Sequence, residues 1–363
     1  MTWSESDPSG AGFTGSLVEI SGARVRDGGA AGVGVPTAEL IEQALDRGDR
    51  VEAGAAFDYL VERELHRILT VYYRWIPAVV DWLRPRTPEG DLTAVVTEAV
   101  AEGIAQGAPE PAAIAALIAG PPAGPDPDAA ADIARNLVQQ ALAVPDIDGR
   151  LATLERDCRA HLSADTVMAL TSAYQLHHDD LVRVTWALMA VAQRLHGEDA
   201  MADLLRTSVT GPMVRGRTTH AELARMTGRE IMLLTVETMR SHFSGPAARG
   251  AVDVTEENDR YVVAFDPCGS GGRVRRTVDH GLLASDDAYV RGAHPWTWGE
   301  KPVCLYCAHC SFVNEILPIE NVGFPKRITL YPQSPGDRCR WVIYKNPTDT
   351  PAAYYHRVGQ EKP

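Results

Sequence analysis

Residues 251–272 have the sequence AVDVTEENDRYVVAFDPCGSGG, and the character of the chain changes at this point. Apolar and polar side chains alternate over Ala251–Thr255 and Arg260–Phe265, on either side of the polar turn Glu256–Asp259. This period of two predicts a β-hairpin that leads into a Gly-rich turn carrying Cys268. A domain that contains strands is therefore predicted to begin near residue 249.

Downstream of the hairpin, the pattern predicts one helix and two more strands. The helix is expected over His309–Val322, and the strands over Arg327–Tyr331 and Cys339–Tyr344, with the turn Ser334–Asp337 between them. Together with the hairpin, these elements predict a small antiparallel sheet crossed by a helix.

Upstream of the hairpin, the hydrophobic period is that of α-helices. Apolar residues recur at steps of three and four from Phe57 until Pro77, which we expect to end that helix. The same period recurs over His178–His196 and Thr219–Phe243. Most of the first 248 residues are therefore predicted to be helical.

The start of the chain differs from both of these parts. Residues 1–36 are rich in Gly, Ser and Ala and lack a sustained period, which predicts a flexible arm with at most one strand, near Ser16–Ile20. The sequence thus predicts an α+β protein in which a helical domain (37–248) packs on a Cys-rich, metal-binding α+β domain (249–363).

Composition limits the classes of function. The chain has 48 acidic and 35 basic side chains among 363 residues, a formal net charge of −13, which disfavours general nucleic-acid binding. No apolar run approaches the roughly 18 residues of a membrane span, and the first residues, MTWSESDPSG, do not resemble a secretory signal. We therefore expect a cytoplasmic protein that binds a small molecule, with no nucleic-acid or membrane partner, and with a homo-oligomer left open.

Four cysteines have the spacing of a metal site. Cys304, Cys307 and Cys310 form C-x-x-C-x-x-C, and Cys268 lies 36 residues earlier on the Gly-rich turn. Four thiolates suit tetrahedral zinc, which prefers soft ligands. An iron–sulfur cluster or reduced copper is the alternative, and His309 is a candidate to replace one thiolate. Whether such a zinc ion would be structural or catalytic is left open by the spacing.

The Gly-rich turn also supplies candidates for substrate binding. Its sequence DPCGSGGR contains the small residues Ser270 and Gly271, whose backbone N–H groups suit an anion, and it ends in Arg273 with two further arginines close behind. We therefore predict that a small anionic substrate contacts these three residues.

Candidate acid and base groups lie near the cysteine triplet. His294, in HPWTWGEKP, precedes it together with Trp296 and Trp298, which would form apolar walls that exclude water. Glu315 follows the triplet on the predicted helix and is a candidate general base. With His309 and Cys268, these residues complete the predicted catalytic set, and Cys268 as a nucleophile is the alternative without a catalytic metal.

Other histidines, acidic residues and cysteines are given structural interpretations. His177, His178, Asp179 and Asp180 are placed at a helix start, where an aspartate caps the helix. His242 and Arg240, at the end of the last predicted helix, point toward the metal-bearing domain. Cys339 and Cys158 are interpreted as buried core thiols.

The C-terminal third resembles a known family. The segment CAHCSFVNEIL, then Gly323, a strand and the closing G-D-x-C-x-W-x-I-Y-K (336–345) resemble the small α+β domain of the L-2-amino-thiazoline-4-carboxylic acid hydrolase-like proteins. The closing hairpin is also similar to the small-molecule-binding domains of the vinyl reductase type. The resemblance implies hydrolysis or ring opening at a C–N or C–S bond.

Three classes of function follow from these features, and the third is an iron–sulfur redox protein. The first is a zinc-dependent hydrolase that acts on a small anionic molecule at the Cys-rich site. The second is a non-enzymatic sensor or binding protein, in which a structural Zn(Cys)4 or iron–sulfur site stabilises the fold.

Overall fold

The computed structural model describes residues 13–104, 109–120, 127–143, 146–210, 219–277, 281–334 and 336–363. Most of the described chain is helical, and a small antiparallel sheet lies in its last third, which confirms the α+β class. The expected metal-binding character and the domain limits stay predictions. Among the described helices, none has both the length and the hydropathy to span a lipid bilayer.

The helices are concentrated before residue 242. In chain order they are α1 (Gly29–Gly32), α2 (Thr37–Asp46), α3 (Arg50–Tyr59), α4 (Arg67–Leu83), α5 (Glu89–Gly103), α6 (Pro111–Ala119), α7 (Pro127–Ala141), α8 (Ile147–Ala160), α9 (Ala164–His196), α10 (Met201–Thr210), α11 (His220–Leu223), α12 (Gly228–Ser241), α13 (Gly271–Thr277), α14 (His309–Ser311), α15 (Leu317–Val322) and α16 (Ala352–His356). Two π-helical stretches, Leu60–His66 and Phe312–Ile316, join α3 to α4 and α14 to α15.

The strands pair in three antiparallel sheets. They are β1 (Leu17–Ile20), β2 (Ala23–Arg26), β3 (Asp253–Glu256), β4 (Arg260–Phe265), β5 (Tyr289–Val290), β6 (Val303–Cys304), β7 (Ile328–Leu330) and β8 (Cys339–Tyr344). The largest sheet has the order β3-β4-β8-β7. In its register Phe265 is opposite Cys339, which brings the end of β4, and hence the Gly-rich turn, next to the start of β8.

Helices α4 and α9 form the centre of the helical part. Pro77 lies inside α4, so the prediction that it ends the helix is wrong. Pro77 lies in the interior of α4, and a proline in a helix interior costs a backbone hydrogen bond. The helix continues through Pro77 because burial of its wide apolar face offsets that cost. Helix α9 begins at a Ser163 capping box and ends before Gly197, whose N–H donates to the Gln193 carbonyl.

The position of the His-His-Asp-Asp segment differs from the prediction. His177 and Asp180 bracket a segment in the middle of α9, thirteen residues or more from its start, so none of the four residues caps a helix. The real start is the Ser163 cap, and the periodicity before His178 was too weak to reveal one continuous 33-residue helix. The side chains of His178 and Asp179 are buried.

The described part of the predicted arm is folded. Residues 1–12 lie outside the described residues, but β1 and β2 form a hairpin, and Val25 and Arg26 on β2 are buried. The backbone continues along the C-terminal part, where the N–H of Val252 donates to the Gly34 carbonyl (3.0 Å). The expectation of a loose segment with one strand is therefore wrong for residues 17–36, because composition could not reveal pairing with distant residues.

A cluster of buried charges ties this N-terminal segment to α12. Arg240 on α12 bonds Glu64 through Nε (3.0 Å) and donates to the Val33 carbonyl (2.6 Å), and both charged side chains are buried. Close by, Glu237 accepts hydrogen bonds from Tyr59 (2.5 Å), Arg63 (2.9 Å) and Arg67 (2.9 Å). Such a network is stable only when every member is in place.

Candidate functional site

A cavity of about 60 Å³ lies between the helical part and the sheet. It has room for roughly four water molecules, or for part of a small ligand. Helices α4 and α12 form one side of it, and the Gly-rich turn, the cysteine triplet and β8 form the other. Its polar lining comprises Tyr72, Thr238, His242, Cys268, Ser270, Arg275, Tyr306, Cys307, His309, Cys310, Asn314, Arg327, Thr329, Tyr331 and Cys339.

The Gly-rich turn holds Cys268 at the wall of the cavity. A Cβ on Gly269 would lie 1.8 Å from the His242 carbonyl oxygen, so only glycine permits the turn to pack against the end of α12. The amides of Ser270 and Gly272 donate to the Cys268 sulfur, and burial raises the pKa of this thiol to about 11 despite them. The turn therefore points a hydrogen-bonded thiol at the cavity, as the sequence predicts.

Cys304 and Cys307 form a hydrogen-bonded pair at the end of β6. Burial raises the pKa of Cys304, but the hydrogen bond from Cys307 and the charge of Arg275 hold it below its ordinary value. The same hydrogen bond raises the pKa of Cys307 well above the ordinary value, as does burial. The two thiols therefore titrate as a coupled pair, in which Cys304 loses its proton more readily than Cys307. Cys307 lines the cavity, whereas Cys304 lies behind it, fully buried.

Cys310 and Cys339 add two more thiols to the cavity wall. Cys310 Sγ lies 3.7 Å from His309 Nε2, and the Nδ1–H of His309 donates to the Tyr306 carbonyl (2.6 Å). Burial raises the pKa of Cys310 and of Cys339 well above the ordinary value, so both are neutral thiols. Cys339 lies at the start of β8, two residues before Trp341, and these two residues line the cavity together.

The donor chemistry of these cysteines suits zinc, because zinc prefers soft thiolate ligands. Four of them, Cys268, Cys307, Cys310 and Cys339, line one cavity, and Cys304 lies next to it. Among the residues that the structure describes, no group of three or more His, Cys, Asp or Glu side chains is placed to hold one metal ion. The zinc site therefore stays a proposal that rests on donor type and shared lining.

Arg275 is one of two arginines that line the cavity, together with Arg327. It is 6 % exposed, its Nη1 donates to the Pro332 carbonyl (3.4 Å) and its guanidinium lies 5.0 Å from the centre of the Tyr331 ring. Within the described ranges it has no carboxylate partner, and its buried Nε has no hydrogen-bond partner. Burial disfavours its charge, but nearby thiols and tyrosines raise its pKa above the usual value, so it stays charged.

Arg273, the predicted substrate arginine, points elsewhere. Its Nε and Nη2 bond the two carboxylate oxygens of Asp179 on α9 (2.8 and 2.6 Å), and its Nη1 donates to the Phe243 carbonyl (2.6 Å). Its charge is therefore already neutralised, and it is not part of the cavity lining. Ser270 and Gly271, predicted with it, do line the cavity.

Hydroxyl groups link the turn to α4. Ser270 Oγ lies 2.7 Å from the Tyr306 hydroxyl, which lies 2.8 Å from the Tyr72 hydroxyl. All three side chains are buried and line the cavity. Burial raises the pKa of Tyr306 well above 10, so it stays a hydroxyl that can donate to a bound ligand.

His294 and Trp296 lie outside the cavity lining. His294 Nε2 lies 2.6 Å from Glu198 Oε1, and its ring stacks on Trp296 with centroids 4.9 Å apart. This arrangement holds their loop against the end of α9. The predicted roles of His294 as an acid or base and of Trp296 as an apolar wall would require both residues to line the cavity, which they do not. Trp298, by contrast, does line the cavity.

Glu315 has a structural environment. It is fully buried, accepts hydrogen bonds from Trp298 Nε1 (2.7 Å) and the Thr329 amide (2.9 Å), and pairs with Arg357 (2.6 Å). Burial raises its pKa, but the carboxylate faces three donors and does not line the cavity. A carboxylate surrounded in this way anchors the loop of Trp298 and β7 rather than accepting a proton from substrate.

No family model, curated protein or solved structure matches this chain. The resemblance of the C-terminal third to the amino-thiazoline-carboxylate hydrolase-like proteins accordingly stays an expectation.

Three features of the site were missed in the sequence. Arg275 was counted only as a neighbour of Arg273, although α13 turns the two side chains about 200° apart. Cys339 was assigned to the core, although it lines the cavity together with Trp341. His178 and Asp179 gave no usable signal, because their partners are supplied by residues more than 60 positions away.

Proposed function

We propose that the chain is a zinc-dependent enzyme that acts on a small anionic molecule bound in the cavity. Hydrolysis or ring opening at a C–N or C–S bond is the reaction class that the resemblance implies. The anion is the part of the proposal that the observed contacts support best.

The observation that carries the proposal is the charge of the cavity lining. Arg275 and Arg327 contribute to the lining, and among the described lining residues there is no Asp or Glu. Arg327 donates hydrogen bonds to Asn314 (2.7 Å) and to Thr235 (3.1 Å). Arg275 is buried, and within the described ranges no carboxylate pairs with it. Such a buried cation costs free energy, and an anionic ligand would offset that cost.

The rest of the lining suits a small planar or cyclic molecule. Trp75, Trp298 and Trp341 provide aromatic walls, while the Tyr306 hydroxyl and Ser270 provide hydrogen bonds at one end. This combination of an apolar wall with a few polar groups is typical of a ligand site.

Cys268, Cys307 and Cys310 would hold the zinc ion, with Cys304 or Cys339 as the fourth ligand. When bound, zinc would polarise a carbonyl or amidine carbon of the substrate, or lower the pKa of a water molecule. The chain's own residues would bind the anion through Arg275 and exclude water through the tryptophans.

Two measurements on protein purified under reducing conditions test the proposal. Elemental analysis should find about one zinc ion per chain. If iron and sulfide are found instead, the site holds an iron–sulfur cluster and the assignment of zinc is wrong. If no metal is found, the proposal of a metal-dependent enzyme is overturned. Calorimetric titration should show that L-2-amino-thiazoline-4-carboxylate and other small carboxylates bind, while their amides do not. Equal binding of acid and amide would overturn the assignment of an anionic ligand.

A sensor is the second candidate, and one observation favours it. The cavity is lined by α4 and α12 from the helical part as well as by the sheet, so a ligand would contact both parts at once. Binding of a carboxylate without turnover, with zinc that is retained in the unliganded and liganded protein, would select the sensor over the enzyme.

A further inference from the structure

A chain of buried polar groups runs from α9 to the cavity through two histidines. His178 Nδ1 lies 2.9 Å from Asp179 Oδ1, and His178 Nε2 lies 3.0 Å from His242 Nδ1. His242 follows the last residue of α12 and lines the cavity. His178 and Asp179 do not line it, so His242 is the end of the chain that a ligand would meet.

The direction of the hydrogen bonds is set by Asp179. Its two oxygens accept from Arg273, and although burial opposes ionisation, Arg273 and His178 hold the pKa of this carboxyl well below its usual range. A carboxylate only accepts, so the proton of His178 is on Nδ1. Burial lowers the pKa of His178, which leaves its Nε2 as an acceptor.

The tautomer of His242 then follows. Because His178 Nε2 accepts, the donor in the 3.0 Å contact is the Nδ1–H of His242. A neutral imidazole with its proton on Nδ1 carries its basic lone pair on Nε2. Tyr72 lies 3.4 Å from the same Nδ1 and can only share that proton, so it does not alter this assignment.

We propose that Asp179 and His178 orient His242 so that its Nε2 is the proton acceptor of the cavity. The inference deepens the proposed function, on which its catalytic role rests. When water or a substrate X–H gives its proton to Nε2, the X–H bonding pair stays on X. The imidazolium that forms is stabilised through His178 by the Asp179 carboxylate, the arrangement by which a buried carboxylate assists a base.

The other imidazole of the cavity is less suited to this task. His309 also has its Nδ1–H bound, to the Tyr306 carbonyl, but its Nε2 already contacts the Cys310 sulfur (3.7 Å). The hydrogen bonds behind His242 lead through His178 to the Asp179 carboxylate. His242 is thus the imidazole with a negative charge placed to support protonation.

Long-range 1H–15N NMR spectra of 15N-histidine-labelled protein test the assignment directly. In the wild type, His178 and His242 should both carry the proton on Nδ1. In Asp179→Asn, the Asn carbonyl should keep Arg273 and its NH2 should face His178, so both imidazoles should move their proton to Nε2. Asp180→Asn, a change at the next residue that removes an ion pair to Arg183 (3.0 Å), should leave both tautomers as in the wild type.

A proton on Nε2 of His242 in the wild type would overturn the proposal, and this spectrum needs no variant to fold. So would a folded Asp179→Asn protein with unchanged tautomers.

Turnover of L-2-amino-thiazoline-4-carboxylate separates this inference from the proposed function. His242→Gln should lower kcat about 10²- to 10⁴-fold and leave KM within about threefold, since general-base catalysis contributes in that range. An unchanged kcat would overturn the catalytic role of His242. If the wild type turns nothing over, the proposed function fails with this probe, and the tautomers alone decide whether the relay exists.

Discussion

Arg273→Gln and Arg275→Gln lie two residues apart, and we expect a large loss of stability for the first and a small change for the second. Arg273 shares two short hydrogen bonds with Asp179, and the two side chains are 12 % and 5 % exposed. Breaking such a buried pair costs about 3–5 kcal/mol. Replacement of Arg275 breaks no ion pair with a carboxylate among the described residues, and the Nε of this side chain has no hydrogen bond to lose. Arg275→Gln should therefore change the free energy of unfolding by less than about 1 kcal/mol.

The order reverses for ligand binding. A charge-assisted hydrogen bond to a buried arginine contributes about 1.5–3 kcal/mol, and each 1.4 kcal/mol is about tenfold in Kd. Arg275→Gln should therefore raise the Kd of a small carboxylate about 10- to 150-fold. The Kd of Arg273→Gln should stay close to that of the wild type under conditions in which the variant is folded.

Urea denaturation followed by circular dichroism measures the first quantity, and isothermal titration calorimetry measures the second. Arg276→Gln, which removes a half-exposed pair with Asp266 (2.6 Å), is the matched control for both. A loss of several kcal/mol in Arg275→Gln, together with unchanged affinity for the carboxylate, would refute the reasoning. Arg275 would then be a structural residue, and the cavity would have no assigned anion site.

Three further outcomes are expected. Cys339→Ser and Cys304→Ser should differ in zinc content by elemental analysis, because only one of the two serves as fourth ligand; full zinc in both variants would exclude both cysteines. The pKa of Asp179 is held below its ordinary value of 3.8, so its contribution to stability is present above that pH and is lost as the pH falls. The difference in urea midpoint between the wild type and Asp179→Asn should therefore shrink in acid. A difference that stays constant with pH would contradict this prediction. Glu315→Gln places an amide among three donors and should cost at least about 1 kcal/mol, whereas the exposed Glu320→Gln should cost less; loss of turnover by Glu315→Gln at full stability would instead restore it as a base.

Local patterns predicted the sheet well. The patterns at Arg260–Phe265 and Cys339–Tyr344 mark both central strands with their observed limits. Strand β4 buries alternate side chains, whereas β8 is buried on both faces from Trp341 to Tyr344. The helix that crosses the sheet was also predicted, since its apolar period is strong. These elements are decided within a few residues of sequence.

The site depended on contacts that no local pattern contains. The cysteine spacing drew attention to the region, and Cys268 lines the same cavity as Cys307 and Cys310. Which arginine faces the cavity is decided by Asp179, 94 residues before Arg273. The role of His178 likewise depends on His242, 64 residues later. Such pairings arise from the tertiary fold, and periodicity does not report them.

The buried charges around Arg240 also have a consequence for the order of folding during synthesis. Tyr59 and Glu64 emerge from the ribosome about 175 residues before Glu237 and Arg240, their partners. Until α12 is made, the first helices hold polar groups that must stay in water, so they cannot close their core alone. An N-terminal fragment that stops before residue 228 should therefore remain open and bind chaperones, and the end of α12, with His242, would be set in place only as the chain nears completion.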